Sequence, residues 1–414
     1  MVSFSRFGRI ARALGNPNYG IYASGNAISL VGTWMQRVAV GWLTWQLTES
    51  GAWLGAIAFA DLFPTVLIGP LAGAAADRWD RLKALRAGQV LLMLQALLLF
   101  ILTATGAITI WLLLALSLFL GVVAAFNQPA RLALIPSLVP RDDLAAAVAI
   151  NSIVFNSARF LGPAAAGVII VTVGIAAAFA VNAASYLVFL AALSRIRLRA
   201  QETPADGPRA GLFAEVAAGL GYALRHPGIG PLLLLLLAVA SCARPFVELL
   251  PGFAGAVFAA GAEGLAMMTS TVGLGAVSGG LWLAQRAGRG LTTVTLTSPL
   301  VLAGALLVFV AGGSLWLALP ALFVAGFAMV CGGVGTQTLL QLSVEGALRG
   351  RVMSLYGLIF RGGPALGALA MGALSELVGL RWPLAGGALL AALACGAVWL
   401  RRARLTAALE PAAD

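Results

Sequence analysis

Six charged side chains stand inside long apolar runs: Arg37, Asp61, Arg159, Arg244, Glu248 and Arg361. A charge at bilayer depth is costly and faces a cavity or a partner, so these are the residues whose types promise chemistry. Asp61 and Glu248 are the candidates for carrying coupling protons. A carboxylate in low dielectric has a raised pKa, and a nearby arginine restrains that rise until the pair is disturbed. A permanent ion pair that only orients helices is the rival reading of the same residues. The four arginines exceed the two acids by two formal charges. That inventory suits an anionic, zwitterionic or metal-chelating organic molecule better than a cation, because a guanidinium forks onto carboxylate or phosphate oxygens. Asn26, Gln36, Gln337 and Gln341 supply further hydrogen-bonding groups for such a cavity. Arg159 and Arg361 read equally well as satisfying helix carbonyls freed at the neighbouring Gly-Pro pairs.

These side chains need membrane helices to hold them. Hydrophobic residues make up 61% of the 414-residue chain and charged residues 10%, against about 25% charged in a soluble globule. With a mean hydropathy of +0.97, the chain reads as an all-α, polytopic membrane protein. Apolar runs fall at 19–47, 53–76, 85–106, 109–128, 144–173, 175–194, 229–253, 264–284, 292–312, 315–341, 352–378 and 382–400. Each suits a span of ~20 residues, which predicts twelve transmembrane helices. At ~1.5 Å rise per residue, Asp61 and Arg37 lie ~12 Å and ~14 Å below the same end of spans 2 and 1. A buried pair between these antiparallel neighbours is therefore expected. Arg244 and Glu248, four apart in span 7, share one face of a continuous helix. Trp34, Trp42, Trp45 and Trp53 cluster towards one end of spans 1 and 2, where an interfacial belt is the default expectation.

Basic residues alternate by side. Arg12, Arg78, Arg81, Lys83, Arg86, Arg131, Arg141, the run from Arg195 to Arg225, Arg286, Arg289, Arg349, Arg351 and Arg401 to Arg404 share one side, whereas the other loops contain only Arg381. The positive-inside rule places both termini in the cytoplasm. It also explains the net charge of +11 without a nucleic-acid partner. The segment 195–228 reads as a cytoplasmic linker whose part Leu212–Arg225 is an amphipathic helix on the membrane face. It divides a six-helix bundle, 1–194, from a second, 229–404, followed by a tail, 405–414. The three cysteines and the single His226 offer no metal-ligand spacing. No Gly-x4-Gly-Lys-Ser/Thr loop or nucleophile–base set occurs, so neither a cofactor nor an enzyme is expected.

Gly162-Pro163 with Gly167 in span 5 recurs as Gly363-Pro364 with Gly367 in span 11, about 200 residues later. Matching pairs at corresponding spans of two halves fit a repeat-built transporter. A packing role and a gating role for these residues stand level, since glycine allows close helix approach and proline frees a carbonyl and can kink the span.

Between spans 2 and 3 the sequence runs Gly73-Ala-Ala-Ala-Asp77-Arg78-Trp-Asp80-Arg81-Leu82-Lys83. This resembles the loop 2–3 signature of the major facilitator superfamily. Ser29-Leu-Val-Gly32-Thr-Trp34-Met-Gln36, Gln128-Pro129-Ala-Arg131, Asn156-x-x-Arg159-x-x-Gly162-Pro163 and Arg349-Gly-Arg351-Val-Met353 are similar to the bacterial branch of enterobactin-type exporters and macrolide-type drug efflux proteins. The resemblance covers nearly the whole chain. It implies two pseudo-symmetric six-helix bundles and a monomeric secondary exporter of the bacterial inner membrane, moving a small siderophore-like or drug-like amphipath against protons. It also implies that Gly73, Asp77, Arg78 and Arg81 form a charge network that latches one conformational state. Asp80, where the family has glycine, and Leu82, where it has a base, depart from the pattern. The fold equally hosts importers and lipid flippases; a non-transporting membrane sensor or scaffold is a third possibility.

Overall fold

A computed structural model describes residues 11–78, 80–196, 220–286, 290–344 and 346–410. For residues 70, 71, 73–78, 346 and 347 it describes the backbone alone. Among the described residues every regular element is helical. Spans 1 to 6 are Pro17–Thr48, Gly51–Arg78, Arg81–Ala104, Ile110–Leu134, Leu144–Thr172 and Ile175–Arg195. Span 7 starts at Ile229; spans 8 to 12 are Gly261–Gln285, Leu291–Ala311, Leu315–Ser343, Gly346–Val378 and Arg381–Trp399. Among the described residues, eleven helices are long and apolar enough to cross a membrane. The first helix has the length, at 32 residues, but buried Asn26, Ser29, Gln36 and Thr44 dilute its apolar character.

Short polar caps fix where the spans begin. The Asp80 carboxylate accepts from the amides of Leu82 and Lys83 at 2.9 and 3.0 Å, satisfying two of the orphan donors that open any helix. The residue that departs from the loop 2–3 pattern is thus the N-cap of span 3. Spans 5 and 6 are separated by two residues, and Gly174 turns the chain there at φ +107°, a conformation that side-chain-bearing residues avoid. Only residues 195, 196 and 220–228 of the connector are described, and residues 220–225 are helical; the rest of the amphipathic helix expected over Leu212–Arg225 lies outside the described residues.

Span 7 differs from the continuous run read in the sequence. It is a helix over Ile229–Cys242, a break, a short helix Phe246–Gly252 and a π turn Phe253–Val257. At the break the amides of both Ala243 and Arg244 converge on Val239 O, and Pro245 has no N–H with which to continue the ladder. Arg244 therefore lies in the break and Glu248 in the helix beyond it, so the expected i, i+4 face is not formed. Spans 5 and 11, in contrast, run through Pro163 and Pro364 without interruption.

The chain forms two compact units, residues 1–43 with 64–207 and residues 44–63 with 208–414. In the first, span 3 packs on spans 4 and 6, and Gly32 of span 1 lies so close to Asn182 and Ser185 of span 6 that a Cβ there would collide with them. The second repeats the pattern: span 9 packs on spans 10 and 12, and Gly387 of span 12 abuts the Cys242 carbonyl of span 7. The segment read as a tail is a helix, Arg402–Leu409, with Leu405 and Leu409 buried. Glu410 beyond it accepts from the Thr292 amide and hydroxyl, capping span 9. Residues 411–414 lie outside the described residues.

Candidate functional site

Proline 364 cannot donate to the carbonyl four residues earlier, so Phe360 O loses its helical partner. In the second unit Arg244 supplies the donor. Its Nη1 reaches Phe360 O at 3.1 Å, and the guanidinium carbon lies 3.9 Å from the centroid of the Phe360 ring. The break in span 7 and the proline of span 11 are thereby joined. Close approach makes the joint possible: a Cβ on Gly363 would fall 2.6 Å from that of Ala240, and one on Gly367 would fall 2.5 Å from the Pro245 ring. Beside the joint is a cavity of about 30 Å³ lined in part by Arg244, Thr295, Ser298, Thr336 and Phe360, room for about one water. The carbonyl-satisfying role expected of Arg361 is filled at Phe360 by Arg244. Arg361 itself is half-buried.

The first unit has a related arrangement with different chemistry. Arg37 and Arg159 both approach the Trp34 ring, at 5.2 and 5.5 Å from its centroid, and Phe155 meets that ring edge-on at 5.9 Å. Two guanidinium groups on one indole give a cationic, aromatic surface. Gly162 and Pro163 are buried against span 1, where a Cβ on Gly162 would fall 2.5 Å from that of Trp34 and 2.8 Å from Val31 O. Trp34 of span 1 is therefore packed against span 5.

The amides read as cavity groups divide. Gln36 is buried; its Nε2 donates to Gln95 Oε1 at 3.0 Å, and its Oε1 accepts from Asn182 Nδ2 at 2.7 Å. It ties spans 1, 3 and 6 together. Asn26, also buried, donates to Asn151 Oδ1 at 3.4 Å. Gln337 is half-buried and Gln341 exposed. Asp61 and Glu248 are both half-buried in the second unit, whereas Arg37 belongs to the first.

At loop 2–3 the side chains of Gly73, Asp77 and Arg78 lie outside the described residues. Arg81 Nη1 donates to Ala133 O at 3.3 Å, and Arg86 Nη2 to Leu193 O at 2.6 Å. Both arginines thus hold terminal carbonyls of spans 4 and 6, consistent with the charge complement of a helix C-terminus. One contact was not read from the sequence. Glu376, near the end of span 11, accepts from Ser50 Oγ at 2.7 Å and the Ala52 amide at 3.0 Å, capping span 2. A solvent-exposed acid 326 residues from its partner leaves no local signal. His226 caps span 7 in a similar way, its Nδ1 accepting from the amides of Gly228 and Ile229, and desolvation holds its pKa below the ordinary value.

A family model described as a transmembrane secretion effector matches residues 17–413. The chain belongs to that family, within the major facilitator superfamily. It is a transporter family, not an enzyme family. The chain is 28% identical to an enterobactin exporter of Shigella boydii over 364 residues, 85% of this chain and 83% of that one. It is 25% identical to the staphyloferrin A transporter of Staphylococcus aureus over 255 residues; the match spans 61% of this chain and 64% of that relative, a little under two-thirds of its length. Among solved structures, a bacterial homologue of the human lysosomal transporter Spinster superposes with a TM-score of 0.75 at 15% identity, covering 96% of this chain and 99% of the other. At that identity the likeness shows the fold alone.

Proposed function

We propose that this protein is a proton-coupled secondary exporter of a small amphipathic organic anion of siderophore-like chemistry, working by alternating access in the bacterial inner membrane with both termini cytoplasmic. The two six-helix bundles, 1–194 and 229–404, are joined by the 195–228 linker and work as a monomer. The observation that carries this reading is the pair of guanidinium groups, Arg37 and Arg159, on the Trp34 ring. A planar aromatic flanked by two forked cations matches a ligand that carries carboxylate or phosphate oxygens on an apolar frame. The printed names of the relatives, an enterobactin exporter and a staphyloferrin A transporter, support the same substrate class. Asp61 and Glu248 carry the protons, Arg37, Arg159, Arg244 and Arg361 favour the anion, and Gly73, Asp77, Arg78 and Arg81 latch one state.

The test uses proteoliposomes holding a pH dye under an imposed proton gradient. An anionic chelate drives proton movement, a lipophilic cation does not, and Asp61→Asn abolishes coupling in a protein that still folds. Proton movement with the cation alone would sink the anion reading, and retained antiport in Asp61→Asn would remove that residue from the coupling path.

A further inference from the structure

A groove of about 770 Å³ lies in the first unit, away from the arginine and Gly-Pro contacts described above. One face of span 3 (Lys83, Ala84, Ala87, Gly88 and Leu91) forms one wall, and span 4, chiefly Phe119, Val123, Phe126 and Asn127, forms the other. The volume is within the range of small-molecule sites, about 300–1,000 Å³. Its walls are mainly apolar, and Leu91 and Phe119 are about two-fifths exposed.

Two polar features make it more than a greasy cleft. Asn127 lines the groove, is only 5% exposed, and neither its Oδ1 nor its Nδ2 has a hydrogen-bond partner among the described residues. A buried amide left in that state costs free energy until a ligand or water engages it. Gly88 leaves room for the amide, since a Cβ there would fall 2.6 Å from Asn127 Nδ2. At the end nearest loop 2–3, Lys83 is exposed and forms no ion pair among the described residues. The Asp80 carboxylate also lines the groove at this end, where its Oδ1 accepts from two helix amides. Five residues of helix separate Lys83 from Gly88, a rise of about 7.5 Å, comparable to the distance from a lipid phosphate to its glycerol esters.

We infer that this groove binds one anionic phospholipid of the cytoplasmic leaflet. The phosphate sits on the Lys83 ammonium, an ester carbonyl accepts from Asn127 Nδ2, and an acyl chain lies along Leu91, Phe119, Val123 and Phe126. The inner leaflet is anionic and rewards a lysine at its surface, and a long lysine stem reaches the headgroup level readily. The choice of leaflet rests on the proposed topology; the binding itself does not rest on export.

The test is native mass spectrometry of the full chain in detergent, titrated with phosphatidylglycerol and with phosphatidylcholine of the same acyl chains. The expected result is tighter binding of phosphatidylglycerol, weakened about fivefold in Lys83→Gln, the worth of one lysine near an anionic surface, with phosphatidylcholine weakened less because its choline already offsets the phosphate charge. Asn127→Leu weakens both lipids. Equal binding of the two lipids by the wild type, or no change in Lys83→Gln, overturns the inference. Displacement of bound phosphatidylglycerol by a transported organic anion would overturn it too, by making the groove a substrate site. No gradient is involved, so failure of the exporter reading leaves this result untouched.

Discussion

The two halves of the repeat solve one packing problem by different means. In each, a span lies against a Gly-Pro pair: span 1 on Gly162-Pro163, span 7 on Gly363-Pro364. The first unit keeps span 1 continuous and buries side-chain amides around it, with Gln36, Gln95 and Asn182 bonded in series. The second unit buries hydroxyls instead, Thr292, Thr295, Ser298, Thr336 and Ser375, breaks its equivalent helix and fills the gap with Arg244. An amide network specifies one arrangement because each member needs its partners. In the broken helix one guanidinium takes the place of a lost backbone donor, beside close contacts at Gly363, Gly367 and Gly387. The first unit thus packs through a polar network and the second through a helix break.

Four experiments sharpen or break that contrast, the largest effect first. Gln36→Leu leaves Gln95 Oε1 and Asn182 Nδ2 buried without Gln36, and should cost about 3 kcal/mol. The loss is read as a fall in the melting midpoint of the purified protein. Pairing it with Asn182→Leu should cost less than the sum of the two single changes; strict additivity would show that no network exists. Arg244→Ala should cost about 2 kcal/mol, the range of a hydrogen bond from a charged donor, and should reduce transport. Adding Pro364→Ala, which returns an amide to Phe360 O, should recover stability but not transport. Failure of that rescue would mean that the carbonyl is not what Arg244 serves.

Gly162→Ala and Gly363→Ala test the shared element. Each forces a methyl group into a tight contact, and each should cost at least about 1 kcal/mol. Unequal losses would show that the broken helix absorbs what the continuous one cannot. The smallest effect belongs to His226. Its pKa is depressed by burial, so the neutral ring is favoured in the folded state. The stability it contributes is present above the ordinary histidine pKa, near 6.5, and falls as pH drops through the folded value. Melting measured at pH 8 and pH 5 should show a small acid-side loss that His226→Ala lacks.

Much of the architecture was legible because membrane helices announce themselves by length and apolarity. The run lengths marked the spans, and the Gly-Pro repeat marked which ones correspond. Arginine placement likewise identified Arg37, Arg159 and Arg244 as unusual, since a charge in an apolar run needs a reason. Their partners were not legible. Arg244 looked like the i, i+4 neighbour of Glu248 because both lie in one apolar run; the break at Pro245 shows only when the amides of Ala243 and Arg244 are seen to converge on one carbonyl. Gln36 looked like a cavity group because a lone glutamine in an apolar run has no visible partner. Gln95 lies 59 residues away and Asn182 lies 146 residues away.

That this chain is helical, polytopic and built on a repeat, and which polar residues stand within apolar runs, follows from local sequence. Those properties depend on transfer free energies summed over runs of neighbours, which any local window captures. The partners of these polar groups come from packing: Gln36 bonded to Gln95 and Asn182, Arg244 donating to an orphaned carbonyl, and Glu376 and Glu410 capping distant helices. Hydrogen bonds are short and directional, so they are fixed by packing between helices far apart in the chain, and one-dimensional spacing carries no record of them.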